Sequence, residues 1–285
     1  MPVAAAVRPV LLDLGGRTYD LTRRALVMGI LNRTPDSFYD KGATFGLDAL
    51  LAWAEQLVAE GADILDVGGV KAGPGPEVTE AEELDRVVAP IEALARRFDV
   101  PISVDTWRAS VAAAAYGVGA VIGNDISGFA DPGYLDAAAR AGAAVVATHI
   151  RLAPRVADPD PHYDDVVAEV AGFLTDRAER ALAAGIAPER VVVDAGLDLG
   201  KTAEQSLALL RGSPALAGLG FPLLLSASNK TFLGKLLDLE IDQRRTASLA
   251  AAALGVSWGC RVLRVHDVAG TCRVRDALAA VEEAG

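Results

Sequence analysis

The sequence predicts a single (β/α)8 TIM barrel with a short N-terminal hairpin. Eight short apolar runs recur along the 285 residues, and helical patterns of apolar residues lie between them. The runs are continuous rather than alternating in polarity, which is typical of parallel strands buried on both faces. Eight strand–helix units also fit the usual length of a closed barrel, about 250 residues. An open doubly wound sheet is the alternative.

The predicted strands follow one another from residue 25 to residue 265. They are Ala25–Leu31, Ile64–Val67, Val100–Val104, Ala120–Ile122, Ala143–Ala147, Arg190–Val193, Phe221–Leu225 and Val262–Val265. Residues 8–23 precede the first strand and contain Gly15 and Gly16, which predicts a hairpin. No linker or change of composition marks a boundary, so residues 1–285 are expected to form one domain.

Capping signals mark the start of several predicted helices. Thr79–Glu82 and Thr202–Gln205 each have the sequence of a capping box ahead of an apolar stripe. Asp131–Pro132 predicts an N-cap with proline at the first helical position. The most apolar segment, Thr246–Val262, is interrupted by serine and glycine. It therefore predicts a buried helix that runs toward the last strand, not a membrane span.

The composition excludes several classes of function. Hydrophobic residues make up 52% and charged residues 23% of the chain, as in globular proteins. The net charge of −11 argues against a nucleic-acid-binding protein and against a basic membrane-surface protein. The two cysteines, Cys260 and Cys272, have no metal-binding spacing and fit a reducing compartment. Because residues 1–16 carry no signal-peptide pattern, a cytoplasmic location is expected.

Polar side chains end or follow most of the predicted strands. In this fold the C-terminal ends of the strands carry the chemistry. A helix N-cap explains any single polar residue there equally well, but capping does not explain the whole set. The set contains Asn32, Asp105, Asn124, Asp125, His149, Asp194, Lys230, Arg264 and His266.

Four of these residues suggest a flat, polar heterocycle as the ligand. The carboxylates of Asp105 and Asp194 can accept hydrogen bonds from an amino-substituted ring, and Asn124 can both donate and accept. Lys230 only donates, which suits ring carbonyl or nitrogen acceptors.

Two further residues suggest a phosphate. Arg264 and His266 lie two positions apart on one predicted strand, so their side chains face the same side. Paired cationic donors of this kind suit a phosphate group.

The motifs at these strand ends resemble those of dihydropteroate synthases. Residues 31–38, Leu-Asn-Arg-Thr-Pro-Asp-Ser-Phe, are similar to the first-strand motif of that family. Further motifs follow in the family's order, so the resemblance covers about residues 8–285. They are Asp66–Gly69, Ser103–Thr106, Asn124–Gly128, Asp194–Thr202, Ser228–Gly234 and Arg264–Val268.

The resemblance implies a substrate, a reaction and a role for each site residue. The family joins 6-hydroxymethyl-7,8-dihydropterin pyrophosphate to 4-aminobenzoate in folate biosynthesis, with Mg²⁺ on the pyrophosphate. The implied pterin contacts are Asp105, Asn124, Asp194 and Lys230, and the implied phosphate contacts are Arg264 and His266. Asn32 would hold the metal, and the second substrate would lie near Phe38, Pro74, Leu199 and Thr231. The implied partners are a small pterin ligand and a second copy in a homodimer, not nucleic acid or a membrane.

The loop after the second predicted strand departs from the family pattern. The family has Gly-Gly-Glu-Ser-Thr/Ser-Arg-Pro-Gly, where residues 68–75 read Gly-Gly-Val-Lys-Ala-Gly-Pro-Gly. Ala72 thus replaces a hydroxyl residue and Gly73 replaces an arginine, while Lys71 adds a charge without the bidentate fork of arginine. The glycines also predict a more flexible loop. Elsewhere at the same mouth, Asp198–Leu199 replaces a Gly-Phe pair and Asn229 replaces an arginine.

These departures predict a dihydropteroate synthase-like protein that keeps the pterin pocket but has weak or no synthase activity. The first alternative is a fully active dihydropteroate synthase in folate biosynthesis, with Lys71 or Arg33 replacing the lost arginine. The second alternative is a non-catalytic interaction protein on a barrel scaffold, against which the intact pterin set argues. The sequence contains no nucleophile–base pair, so no catalytic residue is assigned.

Overall fold

Eight parallel strands close into a barrel, which confirms the predicted fold and excludes the open sheet. The computed structural model describes residues 9–33 and 46–283. An antiparallel hairpin, β1 Leu11–Leu14 and β2 Arg17–Asp20, comes first. The barrel strands are β3 Leu26–Asn32, β4 Ile64–Gly68, β5 Ile102–Asp105, β6 Ile122–Asp125, β7 Ala144–Thr148, β8 Val191–Asp194, β9 Leu223–Leu225 and β10 Cys260–Val265. Each strand pairs with the next, and β10 pairs with β3 to close the barrel.

The helices lie between the strands, as the alternating pattern predicts. They are α1 Leu47–Ala59, α2 Glu80–Arg97, α3 Ala109–Gly117, α4 Tyr134–Ala141, α5 Val166–Ala183, α6 Ala203–Arg211, α7 Ser213–Ala217, α8 Thr231–Leu237, α9 Arg245–Ser257 and α10 Val268–Glu283. Both predicted capping boxes are present, with Thr79 as the N-cap of α2 and Thr202 as the N-cap of α6. Within the described ranges, no helix is long and apolar enough to cross a membrane.

The predicted cap at Asp131 is wrong. Helix α4 begins at Tyr134 with Gly133 at its N-cap, so Pro132 lies outside the helix. The Asp131 carboxylate instead accepts from the backbone N–H of Gly133 at 3.0 Å and from that of Ala109 at 2.9 Å. Asp131 therefore ties the segment before α4 to the start of α3, a contact that local sequence does not reveal.

The barrel interior has an apolar lower layer and a polar upper layer. Met28, Ile64, Ile122, Val192 and Val262 belong to one buried cluster inside the strands. Because side chains alternate across a strand, the residues two or four positions further along face the same interior. Those positions hold Asn32, Asp66, Asn124, Asp194 and Arg264, near the C-terminal ends of the strands.

The N-terminal hairpin covers the lower end of the barrel. Leu12, Leu14 and Leu21 are buried in the same cluster as the lower layer. The turn between β1 and β2 uses Gly15 and Gly16 at φ +61° and +83°, as a tight hairpin with two left-handed residues requires. The lower end is thus filled with apolar side chains, which leaves the upper end for a ligand.

Candidate ligand-binding site

A buried ion cluster occupies the upper part of the barrel. The Arg264 Nε donates to Asp66 Oδ2 at 2.6 Å, and its Nη2 donates to Asp105 Oδ2 at 2.7 Å. Asn124 Nδ2 approaches the same Asp66 oxygen at 3.4 Å. Burial raises the pKa of Asp105 to about 7, against the opposing effect of the Arg264 charge.

Asp66 is a site residue that the sequence reasoning left out of the predicted set. Its side chain is fully buried, and its Oδ1 has no hydrogen-bond partner among the residues that the structure describes. Buried polar atoms are almost always paired with protein, water or ligand. The sequence did contain a signal for this role, because Asp66 is a charged residue inside an otherwise apolar strand.

Asp194 and Lys230 form the second charged group of the site. Asp194 Oδ1 accepts from the Gly196 backbone N–H at 2.8 Å, and Lys230 Nζ donates to the Leu197 carbonyl at 2.7 Å. Burial raises the pKa of Asp194 and lowers the pKa of Lys230, while their opposite charges partly offset both shifts. A buried carboxylate and a partly buried ammonium group are thus each held by the backbone and interact electrostatically.

A cavity of about 570 Å³ opens above these groups. Eight of the predicted site residues line it: Asn32, Pro74, Asp105, Leu199, Lys230, Thr231, Arg264 and His266. Asn124 and Asp194 are more buried, at 3% and 5% exposure. Asn124 contacts Asp66 of the ion cluster, and Asp194 interacts with the charge of Lys230. Phe38 lies outside the described residues. Within the described residues, the predicted pterin, phosphate and second-substrate contacts therefore meet at one end of the barrel.

Arg264 and His266, the two residues predicted to contact a phosphate, both line the cavity. His266 Nδ1 lies 3.0 Å from Ser228 Oγ, and its backbone N–H donates to the same oxygen at 3.2 Å. Arg264 already donates to two carboxylates, so its guanidinium is held in a fixed orientation. Phosphate binding by this pair stays a prediction.

The loop after β4 lies against the cavity and is braced by Arg155. Ala72 and Gly73 both line the cavity. The Arg155 backbone N–H donates to the Ala72 carbonyl at 3.0 Å, and its guanidinium reaches the carbonyls of Lys71 and Pro76. The loop is rich in glycine, yet a residue from the segment after β7 holds three of its carbonyl groups.

Arg33 and Lys71, the two candidate replacement charges, differ in position. Arg33 Nη1 donates to the carbonyls of Asp85 and Arg86 in α2 at 2.9 and 3.0 Å. Lys71 lines the cavity, whereas Arg33 is not among the lining residues within the described ranges. Of the two, Lys71 has the better position for a ligand.

A buried lysine–histidine pair supports the loop after β8. Lys201 Nζ lies 2.8 Å from His149 Nδ1 and donates to the carbonyls of Gly196 and Leu199 at 2.8 and 2.9 Å. Burial lowers the pKa of Lys201 to about 7. Burial and the neighbouring ammonium together lower the pKa of His149 to about 3, so His149 is neutral. His149 was predicted as a strand-end residue, but its partner Lys201 was not assigned a role.

Fold and site together define the class of protein: a ligand-binding (β/α)8 barrel whose site lies at the C-terminal ends of its strands. The chain matches the model of the pterin-binding enzyme family over residues 28–266. It is 46% identical to the inactive dihydropteroate synthase 2 of Mycobacterium leprae, covering 91% of each chain. It is 41% identical to the dihydropteroate synthase of Synechocystis sp., covering 95% of this chain and 96% of that protein.

A solved structure gives the same result. Yersinia pestis dihydropteroate synthase in complex with a sulfonamide drug matches with a TM-score of 0.92 and 40% identity, covering 97% of this chain and all of that one. The chain therefore belongs to the dihydropteroate synthase family of pterin-binding enzymes.

Proposed function

We propose that this chain binds a pterin inside its barrel and forms little or no dihydropteroate. One contrast carries the proposal. The residues inferred to bind the pterin are all present at the upper end of the barrel, with Asn124 and Asp194 buried, whereas Ala72 and Gly73 line the cavity. The family pattern has a hydroxyl residue and an arginine at those two positions.

The buried polar groups suit the edge of an aminopyrimidine ring. Asp66 Oδ1 is a buried acceptor without a donor in the described part of the chain, and a ring amino group can supply one. Asp194 is a further acceptor and Lys230 is a donor beside it. A flat ligand with amino, N–H and carbonyl groups would satisfy this set.

Oxygen donors near Asn32 fit a Mg²⁺ ion on a bound pyrophosphate. Asn32 Oδ1 and Asp105 Oδ2 each lie 3.6 Å from where a Cβ on Gly68 would be. Mg²⁺ usually keeps several waters and uses one or two protein oxygens together with phosphate oxygens, so such a sparse donor set suits it. When bound, the metal would neutralise charge on the departing pyrophosphate.

The chain's own donors would orient the pyrophosphate and stabilise its charge as it leaves. Arg264 and His266 would contact its phosphates, and Lys71 would add a single positive charge from the loop. Removal of one donor to developing charge typically lowers the rate by about 10²–10³. The replacements at positions 72 and 73 are therefore expected to slow the reaction strongly.

An active synthase is the second candidate, and one observation favours it. Lys71 lines the cavity directly beside the altered positions. If its ammonium group contacts the pyrophosphate, it restores the charge of the missing arginine, although not the geometry of the fork.

Location and assembly follow the family expectation. We propose that the protein is cytoplasmic and forms a homodimer. Exposed apolar residues on α8 and α9 support the homodimer, since Leu236, Leu237 and Leu254 are 53%, 52% and 44% exposed.

Equilibrium binding to the full-length protein tests the proposed function. Calorimetry would compare 6-hydroxymethyl-7,8-dihydropterin with its pyrophosphate ester in the presence of MgCl₂. We expect the bare pterin to bind and the ester to gain less than about tenfold, which corresponds to 1.4 kcal/mol. Absence of pterin binding would favour an interaction protein instead. A gain of a hundredfold or more would favour the active synthase.

A further inference from the structure

Asp198 contributes a carboxylate to the cavity wall from an unusual backbone conformation. It lines the cavity and has φ +66°, a region that aspartate and asparagine enter more readily than most residues other than glycine. Its backbone N–H donates to Ser206 Oγ at 3.1 Å. The carboxylate is thus held at a defined place between β8 and α8.

The Asp198 carboxylate already binds the backbone donors beside it. The Thr231 N–H donates to Oδ2 at 2.5 Å, and the Phe232 N–H lies 3.2 and 3.3 Å from the two carboxylate oxygens. Among the neighbouring groups that stabilise the charged form of Lys230, Asp198 has the largest effect. The N–H groups of Thr231 and Phe232 could otherwise bind an anionic ligand, but here they bind the Asp198 carboxylate.

The other charged residues on this wall are Lys230, Glu240 and Arg244, and the Lys230 ammonium group is held by the Leu197 carbonyl at 2.7 Å. Glu240 lines the same cavity and adds a second carboxylate. The Arg244 guanidinium also lines it, but its Nε and Nη1 donate to the carbonyls of Leu239 and Asn229, both at 3.1 Å. Arg244 therefore braces the segment around α8.

We infer that Asp198 is a specificity-determining residue that disfavours arylamines bearing a carboxylate and favours uncharged arylamines as the second ligand. A ligand carboxylate on this wall would lie close to a fixed carboxylate, and such like-charge contacts disfavour binding. An uncharged amide of the same shape avoids that repulsion. This inference rests on the proposed pterin-binding function and specifies the class of ligand that shares the site with the pterin.

Two probes that differ in one charge test the inference. Calorimetry would compare 4-aminobenzoate with 4-aminobenzamide on protein saturated with 6-hydroxymethylpterin and magnesium pyrophosphate. We expect the wild type to bind the amide about tenfold more tightly than the acid. Asp198→Asn keeps the shape and tolerates the positive φ, and Asp198→Gly removes the side chain. Both should reduce this preference by about tenfold.

Asp242→Asn provides the matched control, because it removes a nearby exposed carboxylate that is not among the described lining residues. It should leave the preference unchanged. Tighter binding of the acid by the wild type, or the same preference in the wild type and both Asp198 variants, would overturn the inference. Pterin affinity is measured in a separate titration of each protein before it is saturated. If the wild type does not bind the pterin, the proposed function and this inference both fail. If it binds the pterin but the Asp198 variants show the same preference as the wild type, only the inference fails.

Discussion

Asp194 is the buried carboxylate on which pterin binding should depend most directly. Removal of one partner of a buried charged hydrogen bond costs about 2–5 kcal/mol. We therefore expect Asp194→Ala to weaken binding of 6-hydroxymethylpterin by at least about thirtyfold and to leave the circular dichroism spectrum unchanged. Asp136→Ala, at an exposed position on α4, should bind like the wild type. Equal pterin affinity in the Asp194 variant would show that this carboxylate does not contact the ring.

His149 should make stability depend on pH. Its pKa is about 3 in the folded protein and 6.5 in the reference state, so between these values the unfolded chain binds a proton that the folded chain does not. Stability is therefore lost as the pH falls through this window, by up to about 1.4 kcal/mol per pH unit. We expect urea unfolding to show that the wild type loses stability relative to His149→Leu between about pH 6.5 and pH 4.5.

The control for this pH dependence is His162→Leu, at an exposed histidine. It should keep the wild-type pH dependence. If the wild type and His149→Leu lose stability in parallel as the pH falls, then His149 does not remain neutral in the folded protein.

Sequence reasoning found the site residues at strand ends but missed those that support them. Asp105, Asn124 and Asp194 each end or follow an apolar run, and a barrel brings such positions together. Asp66 lies within its strand and was passed over for that reason. Lys201 stands directly before a capping box, and only the fold reveals that its ammonium group meets His149, 52 residues away.

At the scale of elements, the loop after β4 should control the use of pyrophosphate. We expect Ala72→Thr combined with Gly73→Arg to restore a hydroxyl and a bidentate donor to the cavity lining. Binding of the pterin pyrophosphate should then tighten by about tenfold or more, while binding of the bare pterin stays the same. Gly73→Ala serves as the matched control. An equal gain for both ligands would mean that the loop does not contact the pyrophosphate.

Arg155 should determine how rigid that loop is. Its backbone N–H and guanidinium hold the carbonyls of Ala72, Lys71 and Pro76. Arg155→Ala removes the guanidinium contacts, so we expect faster amide hydrogen exchange across residues 71–76, with unchanged exchange in β4. Arg151→Ala, in the same segment, is the comparison. Unchanged exchange in the Arg155 variant would show that Arg155 does not rigidify the loop, which would then be as flexible as its glycines predict.

Elements specified by local pattern were predictable, and elements specified by tertiary contacts were not. The eight strands followed from continuous apolar runs, and α2 and α6 begin where their capping boxes indicate. The start of α4 was misjudged because Asp131 bonds to the first residue of α3. The brace from Arg155 to the loop after β4 joins residues about 80 positions apart, so no local pattern reports it.

At the scale of the whole molecule, the barrel separates stability from function. Apolar side chains and the hairpin fill its lower end, and the predicted ligand-binding residues that the structure describes lie at the upper end and in its loops. Substitutions in the loop after β4 can therefore change the chemistry without disturbing the core. Such a separation would allow this chain to keep its fold and the proposed pterin site even if its reaction is slowed, as we propose.

The rate of dihydropteroate formation by the purified full-length protein tests this proposal most directly. The assay contains 6-hydroxymethyl-7,8-dihydropterin pyrophosphate, 4-aminobenzoate and MgCl₂, and pterin binding is measured on the same preparation. We expect pterin binding together with turnover well below about 1 s⁻¹, the lower end of ordinary enzyme rates. Turnover at or above that rate would contradict the proposal, and Lys71 would then be the residue to test as the compensating charge.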